Sequence, residues 1–350
     1  VIVEGEPFSL IIKRKDTHQV IFDTKGKQFA FSDYYLELGA KVPTPNIYGY
    51  GERYYDFKLR PGVYTIWARD EPKVLQSPRG GGHVYGHQPV GLIRDGNKDY
   101  FIVFLRNSNA MDIVIGEEPS ITFKVVGGIF DFVFFLGDKR PDTVIKRYHD
   151  YIGHFVMMPF WSMGLHQSRW GYNDIGAFER IIRKYNEYDI PLDVIWSDID
   201  YMVEKEDFTM NTRAFPPKKL TELLTSTGKR WVPIIDAGIK NRGRAKDVGV
   251  KMDIFMKKKN GGIFTGRVWP GDCYFPDFFN PKAEEYWIQM FEEFYKETKA
   301  PFSGIWLDMN EIANFNHGSE HEKDFYDDIP YKPGFDNLRY KTTAMDAVHY

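Results

Sequence analysis

The sequence predicts an antiparallel β-sandwich followed by the first half, about four βα units, of a (β/α)8 TIM barrel. Over residues 1–138, short runs of alternating apolar and polar residues are broken by Gly, Pro and Asn, which is typical of antiparallel strands. From about residue 155, strand-like runs alternate with amphipathic helical segments, which indicates a parallel sheet. No Gly-rich phosphate-binding turn is present, so a barrel is favoured over a doubly wound sheet. We expect the sandwich over 1–140, a linker helix over 141–154 and an incomplete barrel over 155–350.

Strands of the first half are indicated by six apolar runs, at 8–12, 20–22, 28–31, 100–105, 121–126 and 130–136. The last two flank Gly127 and Gly128, a two-residue turn that predicts a β-hairpin. Helical periodicity begins at 141–152, where four apolar residues fall on one face: Val144, Ile145, Tyr148 and Ile152.

The second half contains four candidate strand and helix pairs. The strands are predicted at 163–167, 193–198, 231–236 and 304–308, and the helices at 175–188, 217–227, 245–257 and 281–297. Asn280 followed by Pro281 predicts the start of the last helix, with Pro at the first helical position.

Composition excludes several classes of function. The 46 Lys and Arg residues nearly balance the 49 Asp and Glu residues, which leaves a net charge of −3 and no basic stripe, so a nucleic-acid partner is not expected. The sequence contains no apolar run of ~18 residues, so it predicts no membrane-spanning helix. Aromatic residues make up 17% of the chain, and their flat apolar faces suit sugar rings as well as a core. The sequence does not indicate an oligomeric state.

Three of the four predicted barrel strands end in an aspartate: Asp198, Asp236 and Asp308. In a barrel, active sites form where the carboxyl ends of the strands meet, so these side chains are expected to converge. Taken singly, each aspartate is equally compatible with a helix N-cap or a turn. No His accompanies them at metal-ligand spacing, and neither a Gly-x-Ser-x-Gly turn nor a Cys and His pair is present. The sequence therefore predicts no metal site and no cofactor.

Carboxylates beside tryptophans favour glycoside hydrolysis. That reaction needs a carboxylic acid and a carboxylate on either side of the scissile bond, with an aromatic wall near an oxocarbenium-like transition state. Two other classes of function remain open. A catalytically silent sugar-binding protein would keep the aromatic wall without needing a nucleophile. A barrel lyase or aldolase with an Asp base would need a Lys or metal cluster at the strand ends, which the sequence does not show.

The run GIWLDMNE at 304–311 resembles the nucleophile signature of glycoside hydrolase family 31, the α-glucosidase family. Further segments resemble the same family: YGYGER at 48–53, YGHQ at 85–88, NSNAM at 107–111, WSMGLHQSRWGY at 161–172, DIDYM at 198–202, DFT at 207–209, VWPG at 268–271 and FPDF at 275–278. The resemblance covers nearly the whole chain and fits the lysosomal, intestinal and plant maltase-like branch. Glucosidase II ranks lower, because that branch is expected to have Pro where this chain has Ile312.

The resemblance implies a retaining, exo-acting α-glucosidase and assigns residue roles. Asp308 would be the nucleophile that forms a covalent glycosyl-enzyme, and Glu311 would brace it by hydrogen bonding. Asp198 would hold the 4- and 6-hydroxyls of the nonreducing glucose, and Asp70 would reach the leaving-group sugar from a loop of the β-domain. The remaining substrate-binding positions are Trp170 at the pocket mouth, Trp269 and Trp306 as walls, and Ile199, Ile235 and Met309 as apolar lining. The tryptophans are also compatible with places in the barrel core.

The resemblance places no general acid/base residue in this sequence, because the family has it well downstream of the nucleophile. The acidic run after Asn316 is typical of a solvated loop. We therefore expect the chain to be the N-terminal part of a longer protein and to be inactive alone. The implied substrate is maltose or another α-linked gluco-oligosaccharide, with α-1,3 trimming of the glucosidase II type or α-xyloside hydrolysis as alternatives. The implied location is the secretory pathway, either lysosomal or extracellular, with the endoplasmic reticulum as the alternative.

Overall fold

The computed structural model describes residues 1–33, 35–66, 82–258 and 260–310, and of residues 82–85 it describes the backbone only. The described residues divide into two compact units, 1–155 and 156–310. Each unit has a hydrophobic core of its own.

The first unit consists of two antiparallel sheets and a helix. The large sheet has the strand order β1-β2-β3-β5-β11-β10-β7, with β4 paired to β5, and the smaller sheet has the order β12-β9-β8-β6. The bounds are β1 (Ile2–Glu4), β2 (Ser9–Lys13), β3 (Val20–Asp23), β4 (Phe29–Ser32), β5 (Tyr35–Lys41), β6 (Ile47–Tyr54), β7 (Gly62–Ile66), β8 (Gly82–Arg94), β9 (Tyr100–Leu105), β10 (Met111–Ile115), β11 (Ser120–Val125), β12 (Phe132–Leu136) and α1 (Pro141–Ile152).

The two sheets enclose an aromatic core. Phe22 on β3 and Phe123 on β11 belong to the large sheet, and both contact Phe132 on β12, with ring centroids 5.8 and 5.1 Å apart. Along β11, Ile121, Phe123 and Val125 are fully buried, so one face of the strand points to this core. Each buried Phe side chain stabilises the fold by ~1.5–3 kcal/mol relative to an exposed one. The predicted antiparallel β-sandwich is confirmed.

The predicted hairpin across Gly127 and Gly128 is wrong. β11 pairs with β10 and β5, whereas β12 pairs with β9 in the other sheet. Both glycines have positive φ, 133° and 83°, which fits a sharp turn, but this turn carries the chain from one sheet to the other. The crossing places the apolar faces of the two strands on opposite sides of one core, whereas a hairpin would place them side by side.

The helix α1 has the bounds that the periodicity predicts, but only part of its apolar face is covered. Val144 is fully buried in a cluster with residues of β9 and β12, and Tyr148 packs edge-on against Phe104 at 5.6 Å. Ile145 and Ile152 are 41% and 50% exposed. The helix therefore packs on the smaller sheet along a narrower stripe than the sequence indicates.

The second unit is built on a parallel sheet whose strands β13, β14, β15 and β19 are neighbours in chain order. This confirms the predicted half-barrel. A second, antiparallel sheet of the order β16-β18-β17 was not predicted. The bounds are β13 (His166–Gln167), α2 (Ile175–Glu187), β14 (Val194–Ser197), α3 (Pro217–Thr227), β15 (Arg230–Asp236), β16 (Ile239–Lys240), α4 (Gly243–Met252), β17 (Gly266–Val268), β18 (Gly271–Tyr274), α5 (Ala283–Thr298) and β19 (Trp306–Asp308). Among the described helices, none has the length and apolar character needed to cross a membrane.

The first parallel strand is shorter than the sequence predicts. Residues Phe160–Met163 form a 3-10 helix instead of the start of a strand. The amide of Leu165 then donates to the side chain of Asp193 at 3.1 Å. Because this amide is held by a carboxylate, ladder pairing with β14 starts only at His166.

The end of α4 and the start of α5 both differ from the periodicity, because a local turn replaces helical structure at each of them. The helix α4 ends at Met252, and the next residue, Asp253, adopts a left-handed conformation with φ 57°, so the helix does not reach 257. The helix α5 begins at Ala283 rather than at Pro281. The backbone oxygen of Asn280 accepts from the Ala283 amide at 2.9 Å, and this turn delays the start of the helix.

The core of the second unit lies between the parallel sheet and its helices. Trp231 on β15 is fully buried, and its Nε1 donates to the Ser197 hydroxyl of β14 at 2.8 Å. Phe178 on α2, Leu220 on α3 and Phe294 on α5 are at most 2% exposed in the same cluster. The helices therefore fix β14 and β15 from one side of the sheet.

The sandwich contains a buried ion pair. Arg14 Nε donates to Asp95 Oδ2 at 3.0 Å, and the two side chains are 5% and 0% exposed. The same guanidinium donates to the carbonyls of Gly137 and Tyr100. The pair thus ties β2 to the segments around β9 and β12.

We predict that Asp95→Ala lowers the free energy of unfolding by ~3–5 kcal/mol, because it leaves a buried guanidinium without its counter-charge. Chemical denaturation followed by circular dichroism measures this change. As a control, Lys25→Ala removes an ion pair to Glu4 that is exposed on both sides, and it is expected to cost less than ~1 kcal/mol. Equal losses in the two variants would contradict the prediction.

Candidate active site

Three aspartates lie at the carboxyl end of the parallel sheet. Asp198 directly follows β14, and Asp236 and Asp308 are the last residues of β15 and β19. Asp236 and Asp308 are paired in register across these neighbouring strands. The structure therefore brings the three carboxylates to one edge of the sheet, the edge at which barrels form active sites.

Asp198 is half-buried and is influenced by the charges around it. Its side chain accepts a hydrogen bond from the Ile199 amide at 2.7 Å. Burial raises the pKa of Asp198, and the negative charges of Asp200 and Asp308 raise it further, against the lowering effect of the Ile199 amide. The charge of Asp308 thus acts on Asp198, although the two residues lie far apart in the chain.

The alternation of side chains decides which residues share a face with these carboxylates. Residues two apart in a strand point to one side, and residues paired in register on adjacent parallel strands do the same. Trp196 is paired with Val232, Trp306 with Ile234, and Asp308 with Asp236. Asp198 continues β14 with an extended backbone. The residues on this face are therefore Trp196, Asp198, Val232, Ile234, Asp236, Trp306 and Asp308.

Ile235 lies on the other face of β15. It is paired in register with Leu307, one residue before Asp308, and only 1% of it is exposed. The structure therefore favours Ile234, rather than Ile235, as the apolar neighbour of the carboxylates. Alternation along the strand already groups Ile234 with Asp236, two positions later, and the register with β19 places both on the face of Asp308.

Trp306 belongs to an aromatic layer next to the carboxylates. Its ring lies 5.3 Å from the ring of Trp196, and Trp196 Nε1 donates to His166 Nδ1 at 3.0 Å. Because an indole N–H only donates, Nδ1 of His166 is an acceptor, and its proton lies on Nε2, which bonds the Ser162 carbonyl at 3.0 Å. Both ring nitrogens of His166 are engaged, so His166 orients Trp196, and Trp306 packs against Trp196.

A second aromatic pair is more exposed. Trp170, in the loop after β13, and Trp269, between β17 and β18, have ring centroids 6.0 Å apart. They are 62% and 40% exposed, which leaves flat apolar surface available to a ligand. The Gly171 amide donates to Asp200 Oδ2 at 2.6 Å, which ties the loop of Trp170 to the segment that carries Asp198.

Met309 and Ile199 follow the strand ends and are buried. Met309 has φ 63°, a left-handed conformation that is uncommon for a residue other than glycine, and it packs in a cluster with Val268 and Phe275. Strain of this kind persists only where the surroundings hold it, and here it lies directly after Asp308. Ile199 is 3% exposed and belongs to the main core of the unit. Both side chains are therefore buried, each directly after an aspartate of the candidate site.

Two of the sequence-predicted site residues, Asp70 and Glu311, lie outside the described residues. The sequence reasoning in turn missed Trp196, His166 and Asp200. Trp196 precedes Asp198 by two positions, as Trp306 precedes Asp308, so strand alternation was the available signal. Asp200 and His166 gave no comparable signal, because their contacts come from segments distant in the chain.

A cavity of about 100 Å³ lies between the loops after β14 and β15 and the helices α4 and α5. Ion-paired side chains line much of it, among them Glu206, Lys240, Arg242, Arg244 and Glu293. None of the sequence-predicted site residues lines this cavity, so the candidate site is the carboxylate edge instead. Within the described part of the chain, no group of three or more His, Cys, Asp or Glu residues is arranged to hold a metal ion.

Comparison with known families identifies the protein family to which the chain belongs. The sequence pattern of the glycosyl hydrolases family 31 TIM-barrel domain matches residues 155–348, more than half of the chain. The chain belongs to glycosyl hydrolase family 31. The resemblance carried by the GIWLDMNE run is thereby confirmed.

Family 31 relatives match almost the whole chain. It is 36% identical over 374 aligned residues to the lysosomal acid alpha-glucosidase of Tetrahymena pyriformis, which covers 99% of this chain and 40% of that relative. It is also 36% identical to the lysosomal alpha-glucosidase of Mus musculus, which covers 94% of this chain and 35% of that relative. This chain thus spans about 40% or less of the length of these two curated relatives.

Solved structures share the fold. The crystal structure of the glucosidase II alpha subunit matches with a TM-score of 0.77 at 23% identity, covering 88% of this chain and 39% of that one. At this identity the likeness shows the fold alone.

We predict that Asp308→Asn lowers the pKa of Asp198 toward its ordinary value, because one of the negative charges that raise it is removed. Carboxyl titration by NMR measures this shift. Since the folded-state pKa of Asp198 is raised, its favourable contribution to stability is present below the ordinary pKa and is lost as pH rises through the raised value. The control Asp247→Asn changes an exposed carboxylate of α4 and leaves the pKa of Asp198 unchanged. No shift in Asp308→Asn would contradict the proximity of the two carboxylates.

Proposed function

We propose that the complete protein is an exo-acting, retaining α-glucosidase of the maltase type, which hydrolyses terminal α-1,4-linked glucose from maltose and α-linked gluco-oligosaccharides. The observation that carries the proposal is the meeting of Asp198 and Asp308 on one face of the parallel sheet, beside the Trp196 and Trp306 layer. Two carboxylates on one face of the sheet, next to aromatic rings, suit the binding of a sugar and the stabilisation of a cationic transition state. Membership of family 31 and the names of the relatives support the same reaction.

In this proposal Asp308 acts as the nucleophile. Its carboxylate attacks the anomeric carbon while the bond to the leaving-group oxygen breaks, and that oxygen takes a proton from the general acid. Water then attacks the anomeric carbon of the glycosyl ester, with the same acid/base group taking its proton, so that glucose leaves and Asp308 is restored. Glu311 braces the nucleophile in this scheme.

The other site residues bind the terminal glucose. Asp198 accepts hydrogen bonds from two sugar hydroxyls, a use that suits a carboxylate with several lone pairs. Trp306 and Trp269 form walls, and Trp170 lies at the pocket mouth, where its exposure supports a role in stacking. Asp70 contacts the leaving-group sugar, and Ile199, Met309 and Ile234 supply apolar lining, the last in preference to Ile235.

We further propose that the protein works in the secretory pathway, in a lysosome or outside the cell. The support is that relatives over nearly the whole chain are named lysosomal alpha-glucosidases. The glucosidase II structures keep the endoplasmic reticulum and α-1,3 trimming as the alternative. Comparing rates on maltose, an α-1,3-linked disaccharide and an aryl α-xyloside separates these specificities.

We predict that a cyclitol-epoxide inhibitor labels Asp308 covalently in the full-length protein, because a retaining enzyme presents its nucleophile to the anomeric carbon. Mass spectrometry of the digested protein identifies the labelled residue. Asp308→Asn is expected to lower kcat by at least about 10³-fold, since the glycosyl ester cannot form. The control Asp247→Asn keeps the wild-type rate. Labelling at another carboxylate would contradict the role of Asp308 as the nucleophile, and binding of maltose without turnover by the wild type would favour the silent sugar-binding alternative.

We predict that the 350-residue chain on its own does not hydrolyse maltose or an aryl α-glucoside, because no residue in it resembles the family's general acid/base. Release of glucose or of the aryl alcohol measures this. Activity of the isolated chain that disappears in Asp308→Asn would contradict the prediction and would point to an acid in the acidic run after Asn316.

A further inference from the structure

The carboxylate of Asp207 lies in the interior of the second unit, and the proposed reaction does not use it. Only 5% of the residue is exposed. Its Oδ1 accepts a hydrogen bond from the backbone N–H of Asp236 at 2.8 Å, with both partners buried. Burying a carboxyl group is costly unless its contacts compensate, and this hydrogen bond offsets part of that cost.

The hydrogen bond occupies an edge of β15 that β14 leaves open. The ladder between β14 and β15 ends at Pro233, whereas β15 continues to Asp236. The backbone groups of Ile234 and Asp236 point to the same edge of the strand. The Tyr201 hydroxyl donates to the Ile234 carbonyl at 2.8 Å, and Asp207 accepts from the Asp236 amide. Two side chains from the segment after β14 therefore replace the missing strand neighbour.

On its opposite edge, the same end of β15 is paired with β19. Asp236 and Asp308 are register partners, so the backbone of β15 at this point supports the strand end that carries Asp308. Catalysis needs reacting atoms ~3–3.5 Å apart and aligned, and a misplacement of ~1 Å can cost about 10²-fold in rate. Anything that fixes the end of β15 therefore bears on the placement of Asp308.

The loop that carries Asp207 is itself held in place. The Glu206 amide donates to the Val203 carbonyl at 3.0 Å. The Thr209 hydroxyl donates to the Glu206 carbonyl at 2.6 Å and accepts from the Val203 amide at 2.9 Å. Phe208 has a left-handed backbone with φ 59°, which these bonds help to hold. Asp207 is thus anchored from its own loop as well as through Asp236.

The surroundings of Asp207 favour a neutral acceptor. Burial raises the pKa of Asp207 well above its ordinary value, and the charge of Asp236 adds to the effect. An asparagine at this position would keep the Oδ1 acceptor and carry no charge. The two properties of the side chain, acceptor and charge, can therefore be separated by substitution.

We propose that Asp207 is a positioning residue that fixes the end of β15 through the Asp236 amide and thereby sets the place of Asp308. The proposal rests on the proposed function, because it takes Asp308 as the nucleophile. Asp207 acts through another residue and does not touch the substrate.

The test compares Asp207→Ala with Asp207→Asn in the full-length protein. The alanine variant loses the acceptor, so kcat on maltose and the rate of covalent labelling of Asp308 are expected to fall about 10- to 100-fold, with KM changed less than about threefold. The asparagine variant keeps the acceptor, so kcat is expected to stay within about threefold of wild type. The control Asp247→Ala removes an exposed carboxylate and keeps the wild-type kcat.

Hydrogen exchange at the Asp236 amide gives a readout that does not require activity. Protection is expected in the wild type and in Asp207→Asn, and fast exchange in Asp207→Ala. Wild-type kcat in the alanine variant, a loss that lies in KM, or protection of the amide without the acceptor would each overturn the proposal.

If Asp207→Ala does not fold, the asparagine variant alone tests the proposal. Loss of kcat or of amide protection in Asp207→Asn would then overturn the proposal, and retention of both would support it. An inactive wild type would instead contradict the proposed function, while the exchange comparison would still test the hydrogen bond.

Discussion

The parallel pairing of β14, β15 and β19 is the constraint on which the rest of the second unit depends. Parallel strands end at one edge, so residues that are distant in the chain become neighbours there. The register pairs Asp236 with Asp308 and Ile234 with Trp306. A slip of one residue would turn Trp306 and Asp308 to the opposite face of the sheet. The candidate site therefore exists only in this register, which the buried residues of β15 enforce from both faces.

Several features at this edge are unfavourable when considered alone. Burial and neighbouring charges raise the pKa of Asp198, Met309 adopts a left-handed backbone, and Asp207 is buried. Such costs are concentrated at functional sites, where the surrounding structure holds them in place. Here the support comes from below the edge, where Trp231 and the helices α2, α3 and α5 form the core. The same strands thus contribute to the buried core along their length and carry the candidate site at their carboxyl ends.

Local periodicity was sufficient for much of the fold. The helix α3 and the strands β14 and β15 lie where the apolar pattern predicts them, because burial on a core repeats every two or 3.6 residues whatever the partner. The choice of partner is not local, and the hairpin across Gly127 was wrong for that reason: β11 and β12 carry the same alternation but pair in different sheets. The start of α5 was missed because the turn at Asn280 competes with the helix.

The sequence by itself determined the residue types at the strand ends and the family, through the aspartates and the GIWLDMNE run. Only the tertiary structure decided that the charge of Asp308 acts on Asp198, that Trp170 packs against Trp269, and that Ile234 is in register with Trp306 on the face that carries Asp308. The physical reason is that alternation along a strand is a local property, whereas the pairing partner and the register depend on residues from distant parts of the chain. The hydrogen bond from the Asp236 amide to Asp207 also depends on tertiary structure, because it forms only where β14 ends before β15.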